Sequence, residues 1–425
     1  MSEQALRPSV TLPAAERSKT PLRRLWASLD KQLLLIVGVL LSIGAMMVYS
    51  TTFDWSLQSR GSSTAIFLQD HVRNVVLSVL GMTFFTVVDY RFWRRWTPFL
   101  LLFTVGALIA VLVFGDNTFG ARRSLIAGRF QPGELAEFTI IMYLAAWLGA
   151  KNTRVASVWQ GLIPFGVIVS MIALPIILQP DLSSAAIIVI TALLMYYLSG
   201  ANLWHLGAAF AGALLVGFIF VQLNPYAQDR VNSYLSSLTD PTQANYHTQQ
   251  AIIAFVNGGW LGRGIGQGEQ KFGFLPAPHT DSIFAVIGEE LGVLGAALVV
   301  ALYVAFVIRG FRIARRALDP FGALLAIGFT LWVAIQSLLN IAVMTAVIPS
   351  SGLPLPFISY GGSSLLVLMI GVGVLQSVHR FANLRADLPN RRQDANPYDR
   401  SWRDGRTRLS RASSRRSAPQ ARPYV

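Results

Sequence analysis

The chain has 425 residues, 53% of them hydrophobic and 13% charged, with no cysteine and a net charge of +14. Soluble domains carry roughly 25% charged residues, so this composition excludes a soluble globular protein, and the lack of cysteine excludes disulfide, iron–sulfur and Cys-ligated zinc chemistry. In a soluble chain the basic excess would suggest nucleic acid; here the arginines sit in loops and tails between apolar runs, the pattern of positive charge held on one side of a membrane.

Residues 1–31 form a polar, basic arm with Arg17, Lys19, Arg23, Arg24 and Lys31. No small-residue cleavage site follows the first apolar run, and that run is too long for a signal-peptide core, so it reads as an uncleaved first span. Apolar runs near the length that crosses a ~30 Å hydrocarbon core recur at 32–52, 74–89, 97–115, 134–150, 158–178, 183–199, 203–223, 283–308, 321–347 and 361–379. The fold expected is an all-α polytopic membrane protein of about ten transmembrane helices, residues 32–382, with one large extracytoplasmic loop, 224–282, between helices 7 and 8. Arg91, Arg94 and Arg95, then Lys151 and Arg154, then Arg309, Arg312, Arg315 and Arg316 fall in loops on the side of the termini. That bias places both termini in the cytoplasm of a cell (inner) membrane. Arg122, Arg123 and Arg129 break the rule on the outer side. The long loop carries aromatic residues throughout and is expected to fold back over the bundle. Residues 383–425 are rich in Arg, Ser and Pro and read as a disordered basic tail, an orientation signal that could also touch anionic lipid headgroups.

Polar residues cost free energy near lipid, so their positions are informative. They cluster at the outer ends of the spans. Gly120-Ala121-Arg122-Arg123 leads into Gln131-Pro132-Gly133-Glu134-Leu135-Ala136-Glu137, where a proline followed by carboxylates marks a helix start. Gln179-Pro180-Asp181 reads as a tight turn with a helix cap. The run Gly258 to Gly268 lacks the Gly-Lys-Ser/Thr ending of a nucleotide loop and reads as chain turning tightly at a membrane surface. It continues through Lys271 to Leu275-Pro276-Ala277-Pro278-His279-Thr280-Asp281. His279 has no second histidine at ligand spacing. Asp281 has two readings, a cap of the following helix or a reacting carboxylate. Glu289 and Glu290, two turns on, read as a structural hydrogen-bonding pair that closes the bundle. Gly352-Leu353-Pro354-Leu355-Pro356-Phe357-Ile358-Ser359-Tyr360-Gly361-Gly362-Ser363-Ser364 precedes the last span.

Taken in order, these segments resemble the signature of the SEDS family (shape, elongation, division and sporulation) of peptidoglycan glycosyltransferases, over roughly residues 30–380. The resemblance implies an enzyme that polymerises lipid II, an undecaprenyl-pyrophosphoryl disaccharide-pentapeptide, into β-1,4 glycan at the outer membrane face. It places the essential acidic residue at Asp281. A pyrophosphate leaving group is already a stable anion and needs cations rather than a proton donor, so one ionised carboxylate suffices to accept the proton of the attacking sugar hydroxyl. Arg122, Arg123 and Lys271 are then candidates for a pyrophosphate clamp, and a divalent cation could share the task. Gln131, Glu134, His279, Thr280, Ser359, Tyr360, Gly361 and Gly362 fall in the same motifs and are further substrate-binding candidates. The expected partners are a class B penicillin-binding protein and other divisome or elongasome membrane proteins. Met46-Met47-Val48-Tyr49-Ser50 and Asp89-Tyr90-Arg91 resemble the FtsW-type division branch more than the RodA-type elongation branch. A lipid II flippase and a non-catalytic scaffold are the rival readings. Four positions depart from the family pattern: Gly133, Ser124, Ala277 and Glu137. Glu137, where the family has Lys, either points into a water-filled mouth or is balanced by Arg122 or Arg123.

Overall fold

A computed structural model describes residues 27–60, 65–115, 117–118, 121–122, 131–151, 153–240 and 243–386. The arm up to residue 26, Arg123, Ser124 and Arg129, and the tail from 387 onward, including its expected disorder, lie outside the described residues. The chain divides into two compact units, Met1–Ala382 and Asn383–Val425. The first holds the helical bundle; of the second, only 383–386 are described, as helix.

The apolar runs fold as helices because backbone groups in lipid must be satisfied within their own segment. In chain order these are α1 (Lys31–Arg60), α2 (Ala65–Val87), α3 (Thr97–Phe114), α4 (Pro132–Leu148), α5 (Ile163–Leu178), α6 (Leu182–Leu198), α7 (Leu203–Leu223), α8 (Pro225–Ser237), α9 (Tyr246–Gly258), α10 (Ile283–Arg316), α11 (Pro320–Met344) and α12 (Ser363–Ala386). Asx side chains start several of them: Asp181, Asn202, Asn224, Asn245 and Asp319 each accept a backbone N–H of the first turn, as N-caps do. A two-residue antiparallel ladder, β1 (Asn117–Thr118) with β2 (Ala121–Arg122), interrupts the otherwise all-helical fold. Among the described residues seven helices are long and apolar enough to cross a membrane, and the protein is a multi-pass membrane protein. Each of the ten apolar runs read from the sequence falls on a helix.

The core sits between α4, α6, α10, α11 and α12, around Phe138, Phe329, Trp332 and Tyr196. Helix α7 stands at the rim with no buried residue. At one end of the bundle Asp30 accepts Arg309 Nε at 2.7 and 2.9 Å and is bracketed by Gln376, while Asp319 accepts Tyr90 Oη and Arg91 Nε, each at 2.9 Å. Asp281 lies at the opposite end.

Three features differ from the sequence reading. The segment 224–282, for which the sequence reading assigned no secondary structure, contains α8 and α9, and α9 buries Ala251, Ala254 and Gly258. Helix α10 is broken at Gly292 (φ 70, ψ −172), a conformation that only glycine adopts without strain. The chain after α11 does not continue as helix to 347; residues 349–360 are irregular, and Leu355, Phe357 and Ile358 are buried to 2% exposure or less.

The break at Gly292 explains the glycine run. A break strands backbone groups that an intact helix would pair. Gly264 N–H donates to the Glu290 carbonyl at 3.0 Å and Arg263 N–H to the Glu289 carbonyl at 3.0 Å, while Gly259 O accepts from Val293 N–H at 2.9 Å. That approach leaves no space for side chains: a Cβ on Gly262 would lie 2.2 Å from the Glu290 carbonyl oxygen. Gly258, Gly262 and Gly268 are therefore required by contact with the broken helix, whereas Gly259, Gly264 and Gly266 have no close neighbour at Cβ and carry the positive φ of a tightly turning chain.

Candidate functional site

The break makes residues 283–290 a short, buried half-helix separate from the long helical span that follows. Both glutamates at its far end are buried, at 0% and 1% exposure. Glu289 accepts the backbone N–H groups of Glu269 (3.0 Å) and Gln270 (3.2 Å). Glu290 accepts Gly266 N–H at 3.0 Å, Ser50 Oγ at 2.7 Å and Lys271 Nζ at 2.6 Å. Lys271 Nζ also donates to Ser50 Oγ at 2.7 Å. The two glutamates thus tie the long loop to α1 and α10. Lys271, a clamp candidate by sequence, has a side chain only 2% exposed and is engaged by Glu290 and Ser50. An ammonium held in this way is spoken for by a buried carboxylate.

Asp281 stands on the turn before the half-helix. Ser282, not Asp281, occupies the N-cap, and it makes no side-chain cap hydrogen bond; its hydroxyl donates to Pro276 O at 2.6 Å and pairs with His247 Nε2 at 2.6 Å. The turn is fixed through three consecutive carbonyls. His279 O accepts Tyr360 N–H at 2.8 Å, Thr280 O accepts Ser359 Oγ at 2.6 Å, and Asp281 O accepts Asn340 Nδ2 at 2.8 Å. Asn340 Nδ2 also donates to Leu353 O at 2.6 Å, and Gln336 Nε2 to Pro354 O at 3.0 Å. Tyr303 Oη closes the set on Pro356 O. Irregular backbone at membrane depth is tolerated only when protein satisfies it in this way. The two longest sequence motifs, around Asp281 and around Tyr360, are therefore one structure.

Tyr360 lies between two histidine rings, stacked with His71 at 5.9 Å and edge-on to His279 at 5.9 Å. Burial holds His279 below the ordinary imidazole value, which favours a neutral ring at neutral pH. Gly361 and Gly362 lead from this cluster into α12. A Cβ on Gly352 would lie 3.2 Å from Asp281 Oδ2, so the carboxylate rests against the backbone of residue 352.

Glu134 and Glu137 start α4. Glu137 is 6% exposed, and its carboxylate accepts Trp332 Nε1 at 2.7 Å. It does not face a water-filled mouth. The indole N–H of α11 thus supplies one donor to this buried carboxylate. Glu134 Oε2 is buried with no hydrogen-bond partner among the described residues. Gln131 is exposed at the N-cap of the same helix. Arg122 pairs with Asn117 in the short ladder; its side chain and all of Arg123 lie outside the described residues, and so does any pairing with the glutamates. Among the described residues no group of three or more His, Cys, Asp or Glu side chains is placed to hold a metal ion.

Sequence reading missed Asn340, Gln336, Trp332, His247 and His71, and named Ser50 only within a motif of resemblance. Two of these carried a signal. Gln336 and Asn340 are spaced i, i+4 in an otherwise apolar span, so they share one face, and polar side chains there face the bundle interior.

A broken half-helix and a re-entrant segment, stitched together beneath a single acidic turn inside a helical bundle, define a polytopic membrane protein with a site at one end. The cell cycle protein family model FTSW/RODA/SPOVE matches residues 31–384. The chain belongs to the FtsW/RodA/SpoVE family. It is 37% identical over 359 residues to Stage V sporulation protein E of Bacillus subtilis (strain 168), covering 83% of this chain and 97% of that protein. It is 34% identical over 351 residues to the Probable peptidoglycan glycosyltransferase FtsW of Aliivibrio salmonicida (strain LFI1238), covering 81% and 88%. Among solved structures it resembles a chain from work on the structural coordination of polymerization and crosslinking by a peptidoglycan synthase complex. That match has a TM-score of 0.68 and 27% identity over 84% of this chain and 99% of the other. The Rod shape determining protein RodA of Thermus thermophilus shares the fold, with TM-score 0.63 and 24% identity over 84% and 98%.

Proposed function

We propose that this chain is a peptidoglycan glycosyltransferase of the division type that polymerises lipid II at the outer face of the cytoplasmic membrane. It crosses that membrane ten times, with both termini in the cytoplasm, and acts beside a class B penicillin-binding protein. The observation that carries the reading is the fixing of the 279–281 turn through three successive backbone carbonyls. A turn whose backbone is fixed in this way sets where its side chains can reach, as a group that must meet a substrate in a defined geometry requires.

In the reaction, Asp281 accepts the proton of the acceptor sugar 4-hydroxyl. That oxygen forms a bond to the donor's anomeric carbon with inversion, and the bond from that carbon to pyrophosphate breaks with its electron pair on the phosphate. Arg122 and Arg123 are the cations assigned to the leaving group. Lys271 serves this site by holding the loop.

The test is purified protein, with and without a cognate class B penicillin-binding protein, given lipid II in detergent, with glycan products resolved on a gel. Glycan strands are expected from the wild type and none from Asp281→Asn, which keeps size and folding. Synthesis by Asp281→Asn at a near wild-type rate would eliminate Asp281 as the base. Absence of glycan from the wild type in both conditions would remove the polymerase reading.

A further inference from the structure

The 279–281 turn takes two of its three carbonyl partners from consecutive residues, Ser359 and Tyr360. Whatever fixes that dipeptide therefore fixes the turn. Gly361 and Gly362 follow it and bring no side chain, so the Tyr360 ring is the side chain that anchors this stretch. The ring meets His279 edge-on, but His279 belongs to the turn being positioned. The second ring against Tyr360, His71, comes from α2 and stacks on it at 5.9 Å with 29° between the planes. Aromatic pairs hold each other at separations of about 4.5–7 Å.

His71 is placed by a close helix–helix seam. A Cβ on Gly362 would lie 3.3 Å from Asn74 Nδ2, one on Gly81 3.2 Å from Leu366 Cδ1, and one on Gly373 2.5 Å from the Met82 carbonyl oxygen. His71, Asn74, Ser78, Met82 and Phe85 recur at helical spacing and so share the face of α2 that meets α12. His71 ends this seam at the level of the site. Its side chain is buried, at 2% exposure, so it does not meet a substrate directly. Its Nδ1 is buried without a hydrogen-bond partner among the described residues. No bond from Nδ1 reaches the turn, so what the site takes from His71 is the face of its ring.

We propose that His71 is a positioning residue for the reaction. Its ring, set by the α2–α12 seam, is the fixed surface against which Tyr360 stacks, and through the Tyr360 N–H it sets the backbone of the turn that carries Asp281. The inference rests on the lipid II polymerase reading and deepens it. In that reaction the proton acceptor must lie within hydrogen-bond reach of the attacking hydroxyl, and a displacement of about 1 Å costs up to ~100-fold in rate. A turn held by carbonyl contacts keeps that tolerance only if the donors of those contacts are themselves fixed. Asn340 is fixed by its own helix, α11; Tyr360 lies in irregular chain and takes its fixed reference from α2.

The test measures initial rates of glycan synthesis from lipid II, as kcat and KM, together with thermal unfolding of the same purified full-chain samples. His71→Ala removes the ring face and is expected to lower kcat about tenfold to a hundredfold, with KM within about twofold of the wild type. His71→Phe keeps an aromatic face and should retain at least about half of the wild-type kcat, with equal or higher thermal stability because the orphaned nitrogen is gone. Phe85→Ala is the comparator. It removes a ring from the other end of the same seam, where Phe85 meets Trp93 and Phe138, and should lower stability while leaving kcat within about twofold. In a Tyr360→Leu background, His71→Ala should cost less than about threefold further, since the stack is already lost. If His71→Ala does not fold, His71→Leu, which fills the space without an aromatic face, carries the test with the same expected loss. A wild-type kcat in His71→Ala or His71→Leu overturns the inference, as does a His71→Phe no more active than His71→Ala. A kcat loss in Phe85→Ala equal to that of His71→Ala also overturns it, because seam stability alone would account for both. The two levels fail separately: any of these results with glycan made by the wild type removes the His71 assignment and leaves the polymerase, whereas absence of glycan from the wild type removes the polymerase.

Discussion

Lys271→Met separates two roles that the sequence could not. In the structure Lys271 Nζ is 2.6 Å from Glu290 Oε1, and the two side chains are 2% and 0% exposed. Removing one partner of such a pair leaves a buried charge uncompensated, at a cost of about 3–5 kcal/mol. Glu290 would keep Ser50 Oγ and Gly266 N–H as donors, so the expected loss is at the lower end, about 3 kcal/mol. Against a total stability of roughly 5–15 kcal/mol this is large. Combining Lys271→Met with Glu290→Gln removes both charges and keeps an acceptor for Gly266 and Ser50, so it should recover more than half of the loss. The coupling in the mutant cycle should then be ~1.5 kcal/mol or more. The assay is unfolding of the detergent-solubilised protein, followed by the lipid II gel on the same samples. A single mutant with wild-type stability and a raised KM for lipid II would refute this reasoning and return Lys271 to the pyrophosphate clamp.

Asn340→Leu strands the carbonyls of Asp281 and Leu353, at about 1–3 kcal/mol for each unsatisfied group; kcat should fall more than KM rises, and an unchanged kcat would dismiss Asn340 as a positioning residue. Trp332→Phe leaves the Glu137 carboxylate without its indole donor and should destabilise by a similar ~1–3 kcal/mol, whereas Glu137→Gln keeps an acceptor for Trp332 and should be near neutral; thermal unfolding of the pair decides, and the opposite order would remove the Glu137–Trp332 account. Burial holds His279 low, and burial with help from Arg230 does the same for His247. The unfolded chain therefore takes up protons first as pH drops through ~6.5. Stability from these rings should be full above that value and fall as pH drops toward their folded values, and an unfolding slope between about pH 7 and 5 that is unaltered in the double variant His247→Gln, His279→Gln would contradict this. For orientation, a cysteine at the exposed Thr239 should react with an impermeant maleimide applied to whole cells and one at the exposed Lys151 only after permeabilisation. The reverse pattern would place Asp281 on the wrong side for extracytoplasmic chemistry.

Much of the fold was legible because hydrophobic length is a one-dimensional signal. A run such as 203–223 needs no knowledge of its neighbours to be helical, since lipid offers its backbone no other partner. The site was legible in its parts for a related reason. Asp281, Ser359 and Tyr360 stand out as polar residues at the ends of apolar runs, where each has a free-energy cost that only an interaction offsets. Gln336 and Asn340 were equally readable by that rule and were passed over because the span around them scores as uniformly apolar.

What the sequence by itself determined is the helical class, the position of each apolar run and the residues that form the signature. Tertiary structure decided their roles, because these depend on contacts between segments far apart in the chain. Lys271 and Glu290 are 19 residues apart and form their pair only once the glycine run has wrapped the break at Gly292. Glu137 finds its donor 195 positions away in Trp332. Asp281 is not the helix cap because α10 begins at Ile283, which puts Ser282 at the N-cap and Asp281 one residue before it. In each case the sequence shows a polar group that must be satisfied, and only the packing of the bundle specifies by which partner.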